Sequence, residues 1–135
     1  MFIYIIHGDN QQFLVNIHCR VIHLLHLLRG RVHLPHTDVI DLCDESGRLN
    51  FLFLITNYND RAEKYLTPGG AYYVCKVEKG EPGTTSEKCY KQITVMLSNP
   101  DPKITDFLKV QCKSIEKSRQ ERLKTRKAKF LAAHN

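Results

Sequence analysis

The stretch from Arg20 to Leu34, RVIHLLHLLRGRVHL, constrains this chain most. At about 3.6 residues per turn, Val21, Leu25, Leu28 and Val32 fall on one side of a helix. His23, His26, Gly30 and His33 fall on the other. The first set predicts a core face and the second a solvent face. Leu27 borders the polar stripe and is expected to be exposed. Pro35 is expected to end the element, because the residue before a proline is pushed out of helical conformation. A single short helix with one apolar face needs a sheet or another helix to lie on.

The flanking residues supply a sheet. Met1 to His7 and Phe13 to His18 are two β-rich runs, with Gly8-Asp9-Asn10 as a turn, which predicts a hairpin. After the helix, Thr37 to Cys43 reads as a strand. Asp44 to Gly47 reads as a turn, Leu49 to Leu54 as a further strand, and Ala71 to Val77 as the last. The expected order is β-β-α-β-β-β. Ser86 to Leu97 carries Cys89, Tyr90, Ile93, Met96 and Leu97 at helical spacing and predicts a short amphipathic helix. Asn99-Pro100-Asp101-Pro102 breaks it and starts a second helix, with proline in the first turn and asparagine as a cap.

Charge divides the chain. Residues 103–135 carry ten Lys and Arg against Asp106, Glu116 and Glu121, whereas the preceding residues are nearly balanced, so the tail holds the whole net charge of +6. The expected units are residues 1–80 as a folded domain, 81–102 as linker and short helix, and 103–135 as a basic helix. A charged leader followed by a long apolar run is not read, and Phe2 to Ile6 is too short to span a membrane. Cys19, Cys43, Cys75, Cys89 and Cys112 are scattered and odd in number, which predicts reduced thiols of the cytosol or nucleus. An extracellular receptor chain would call for a leader, a span and paired cysteines.

The element order of the first 80 residues, with the opening MFIYIIHGDNQQFLVNI and a helix at the expected distance, resembles ubiquitin. The resemblance implies an α+β fold: a ubiquitin-like β-grasp, here followed by two C-terminal helices, the last long and basic. Ubiquitin-type modifiers end in a free Gly-Gly after the last strand. Gly69-Gly70 precedes that strand here, so a conjugated modifier is not expected. Across the whole chain, HGDNQQFLVN, IDLCDESG, YYVCKVE, NPDPK and IEKSR are similar to a small vertebrate family. It is known by open-reading-frame labels, one on the X chromosome with a paralogue on chromosome 22. That resemblance implies no activity.

Strand residues alternate between faces. With Ile3, Ile5, Val15 and Ile17 toward the helix, Phe2, Tyr4, Ile6 and Leu14 face away. Placing Tyr73, Cys75 and Val77 inward adds Tyr72 and Val74 to the outer set. A face this apolar predicts a contact surface, covered either by residues 86–97 or by another chain.

The tail's apolar stripe runs through Ile104, Phe107, Leu108, Cys112 and Ile115. Beyond it come Lys117, Arg119, Arg122, Lys124, Arg126, Lys127 and Lys129. The first half is expected to dock and the second to project toward an acidic protein surface. Acidic tubulin tails are one such surface, which makes a cytoplasmic, cytoskeletal assembly of a cilium or flagellum the expected setting. Nucleic acid is the alternative partner, through phosphates, although no aromatic lies between Lys109 and Lys129 to stack on bases. His23 and His26 could share a metal, but two helical ligands do not make a site. No metal, cofactor or small-molecule substrate is expected, and motifs of catalysis are not read. The chain therefore reads as a non-catalytic adaptor or structural subunit.

Overall fold

Turn chemistry sets the first hairpin. In the computed structural model, which describes residues 1–133, β1 (Phe2–His7) and β2 (Gln11–Asn16) pair antiparallel, with Ile3 opposite Val15 and Tyr4 opposite Leu14. Gly8 and Asn10 sit at φ +58° and +59°, a region open to glycine and tolerated by asparagine. Helix α1 (Val21–Arg31) follows and buries Val21, Leu24, Leu25 and Leu28. It stops short of the expected Leu34. The chain turns out through His33, at φ +59°, two residues before Pro35.

The remaining elements are β3 (Val39–Asp44), β4 (Ala71–Lys79), β5 (Tyr90–Val95) and helix α2 (Pro102–Ala133). The sheet runs β2-β1-β4-β3. β3 occupies one edge of β4, antiparallel. The other edge is shared. β1 lies parallel to its start, Ala71–Tyr73, and β5 antiparallel to its end, Cys75–Lys79. Gly8 joins the two sharers, donating to Met96 O at 2.8 Å and accepting from Ser98 N at 2.9 Å. The result is a five-stranded mixed sheet with a helix on each face.

Two segments depart from expectation. Leu49 to Leu54 is not a strand. Leu49 makes a single bridge to Cys43, and Leu52–Leu54 is a 3-10 turn. The cause is Asp41. Its buried carboxylate accepts N–H groups from Phe51 at 2.8 Å, from Leu52 at 3.0 Å and from its neighbour Leu42 at 2.8 Å. Those bonds bend the backbone back over β3 and hold Phe51 in the left-handed region at φ +58°. That conformation costs roughly 1–2 kcal/mol for a side chain with a Cβ, which hydrogen bonds to an acid can offset.

Ser86 to Leu97 is not a helix either, and residues 90–95 form a strand. Tyr90–Val95 is β5, with Ile93 and Val95 buried against the sheet. The β-branched run Ile93-Thr94-Val95 suits an extended backbone better than a helical one. Among the described residues one helix, α2, follows the last strand, where two were expected.

The facing of β4 is also reversed from expectation. Tyr72 and Val74 belong to the core under α1, together with Ile3, Ile5, Ile17, Leu24 and Leu28. Tyr73, Cys75 and Val77 lie on the opposite face with Cys43, Ile93, Ile104, Leu108 and Cys112. What covers that second face is α2, not residues 86–97.

Candidate interaction surface

Asp101 and Pro102 start α2. The Asp101 carboxylate accepts the N–H of Lys103 at 3.0 Å, so Asp101 rather than Asn99 supplies the cap, and Pro102 stands in the first turn where its missing N–H costs nothing. Ile104, Leu108 and Cys112, at four-residue spacing, are buried on the sheet. Gln111 stitches the helix to the β3 turn. Its Nε2 donates to Gly47 O at 2.8 Å and its Oε1 accepts from Leu49 N at 3.0 Å. Gly47 suits its place there, because it sits at φ +95°, a backbone conformation that side chains rarely adopt.

The docking ends in a polar clamp. Glu116 Oε2 accepts the backbone N–H of Tyr90 at 2.7 Å. Its Oε1 receives Arg119 Nη2 at 2.8 Å and Gln120 Nε2 at 3.0 Å. Arg119 Nη2 also reaches the Cys89 sulfur at 3.0 Å. The guanidinium first, and then the Tyr90 N–H, hold the Glu116 carboxyl down to about 2. Arg119 is thus a clamp residue, not the free cation expected of it.

Beyond the clamp, every residue from 120 to 133 is exposed. Arg122, Lys124, Arg126, Lys127 and Lys129 project there, with Lys117 exposed just before them, and none makes an ion pair among the described residues. Where the helix leaves the domain, Phe51, Leu54, Tyr90, Ile115, Ser118 and Arg122 line a cleft of about 240 Å³. This falls below the roughly 300–1,000 Å³ typical of ligand pockets and suits one large side chain. Arg119, Arg122, Leu123 and Arg126 line a smaller dip that shares Arg122 with it.

The expected sheet patch is only partly assembled. Phe2, Tyr4 and Leu14 are 53%, 45% and 57% exposed, so β1 and β2 keep a bare apolar strip that α2 does not reach. Ile6 is buried. Tyr72 is on the other face, its hydroxyl accepting from Thr67 N at 2.9 Å. The cleft residues Phe51, Leu54 and Tyr90 carry no site signal in the sequence, because the cleft depends on the 3-10 turn and on β5.

His23, His26 and His33 are exposed. Among the described residues no three or more His, Cys, Asp or Glu side chains gather into a metal-holding group. The five cysteines are free thiols. A hydrogen bond with Cys43, and then burial, push the Cys75 thiol well up, which keeps it protonated and a poor nucleophile. No helix of the described residues is long and apolar enough to cross a membrane.

The family model described as "Putative Interleukin 2 receptor, gamma chain" matches residues 7–101, and the chain belongs to that family. The matched segment runs from the end of β1 to the cap of α2, so the projecting helix lies outside it. No solved structure matches the chain.

Proposed function

We propose that this protein is a non-catalytic adaptor or structural subunit, a ubiquitin-like β-grasp domain anchored in a larger assembly by its basic C-terminal helix. The β-grasp reading is supported by the hairpin, by α1 across one sheet face and by the strand order β2-β1-β4-β3. The observation that carries the functional reading is the arm. A helix continuous with the domain extends over residues 120–133 with five cations, one acid and no burial. Such a helix is either solvated or lies against a charged partner. The partner is an acidic protein surface, and a cytoskeletal assembly of a cilium or flagellum offers one.

The test is a pulldown from ciliated-cell extract with the full chain and with Arg122→Gln, Lys124→Gln, Arg126→Gln and Lys127→Gln combined. Acidic proteins held by the wild type should be lost in the variant and at raised salt. Retention of the same proteins by both overturns the reading. Recovery of RNA or DNA in their place, lost on nuclease treatment, favours the nucleic-acid alternative.

A further inference from the structure

The face that α2 lays on the sheet continues past the domain. Leu108, Cys112, Ile115 and Arg119 follow one another at alternating four- and three-residue steps, and Arg122, Arg126 and Lys129 keep that alternation. A row of this kind drifts by only about 20° per seven residues on a straight helix. The side that is apolar against β5 therefore becomes a cationic row once the domain ends. Lys117, Lys124 and Lys127 fall on the other side of the helix. The row is a local liability, since like charges three and four residues apart destabilise a helix. The apolar cleft lies at the foot of this same row, with Arg122 in its wall. Leu123 and Phe130, seven residues apart and both exposed, run beside it.

We propose that the Arg122, Arg126 and Lys129 row binds an acidic helix of a partner protein lying along α2, with one apolar side chain of that helix seated in the Phe51, Leu54, Tyr90 and Ile115 cleft. This rests on the reading of the arm as an anchor for an acidic protein and makes it specific to one face. Charge complementarity selects the acids. The cleft selects protein over polyanion, because a phosphate backbone has no aliphatic group to place there.

The experiment measures binding of the full-length protein to a labelled synthetic helical peptide. The peptide carries glutamates at alternating three- and four-residue spacing and a leucine one turn beyond. Combining Arg122→Gln, Arg126→Gln and Lys129→Gln should weaken binding roughly tenfold. Lys117→Gln, Lys124→Gln and Lys127→Gln combined should change it by less than about twofold. Leu54→Asp, at an exposed position, should weaken it with unchanged circular dichroism. Equal losses in the two triple variants overturn the face-specific row while leaving a general charge anchor standing. No loss in either overturns both. Duplex DNA binding more tightly than the peptide, through the same row, replaces the helix with nucleic acid.

Discussion

Glu116 on α2 accepts the backbone N–H of Tyr90 on β5 at 2.7 Å, and the same carboxylate holds Arg119. The long helix is thereby fastened to the edge of the sheet at the point where it departs.

Glu116→Ala should cost about 1–3 kcal/mol at neutral pH, the scale of a lost hydrogen bond to a charged group. The folded carboxyl is held near 2, below its ordinary 4.5. Its contribution is therefore fully present above about pH 4.5 and is lost as pH falls through 2. Urea unfolding of both proteins at pH 7 and pH 3 should show the gap between them narrower, but not gone, at the lower pH.

Asp41 works in the opposite sense. Burial pushes its carboxyl up to about 7 from 3.8, against the pull of the three N–H donors. The folded state then prefers the protonated form. The contribution is fully present below about pH 3.8 and is lost as pH rises through 7. In Asp41→Asn this downward slope should vanish. Asp41→Ala leaves three N–H groups without their acceptor and should cost about 3 kcal/mol or more, with protease cutting of residues 49–54 as the readout.

Leu25 and Leu14 have similar chemistry and different surroundings, at 4% and 57% exposure. Leu25→Ala should cost about 2–5 kcal/mol by denaturant unfolding. Leu14→Ser should stay within about 0.5 kcal/mol. A loss below that value for Leu25 would mean that α1 presents another face.

The quadruple neutralisation of Arg122, Lys124, Arg126 and Lys127 should leave the melting temperature unchanged, since all four are exposed. Partner binding by the wild type should fall as salt rises, because screening acts over about 8–10 Å near physiological salt. Binding indifferent to both would show that Leu123, Phe130 and Leu131 hold the partner instead.

The elements that were legible in the sequence are those whose signal is local. The hairpin follows from Gly8 and Asn10 between alternating runs, and α1 follows from its apolar period. Leu24 is buried beside the Val21, Leu25 and Leu28 stripe, because the face that α1 buries is wider than that row. The 49–54 turn was hidden because its cause, Asp41, lies ten residues away and acts through a buried carboxylate. The facing of β4 could not be read, since Tyr72, Tyr73, Val74, Cys75 and Val77 are apolar on both sides of a strand buried on both faces. The β5 segment carries two conflicting signals, since Tyr90, Ile93, Met96 and Leu97 fit a helical period while its β-branched run favours the strand it forms. The basic arm was visible as composition. Its clamp was not, because Cys89 and Arg119 are thirty positions apart.

No glycine or proline interrupts α2 after Pro102. The span 120–133 would reach about 20 Å as a helix, and much the same root-mean-square distance as a flexible coil. The difference is direction. A coil samples a sphere, whereas this helix fixes one bearing from the domain, so it acts as a ruler rather than a tether. Two ligands, one on the bare β1–β2 strip and one on the arm, would be held at a set separation and orientation.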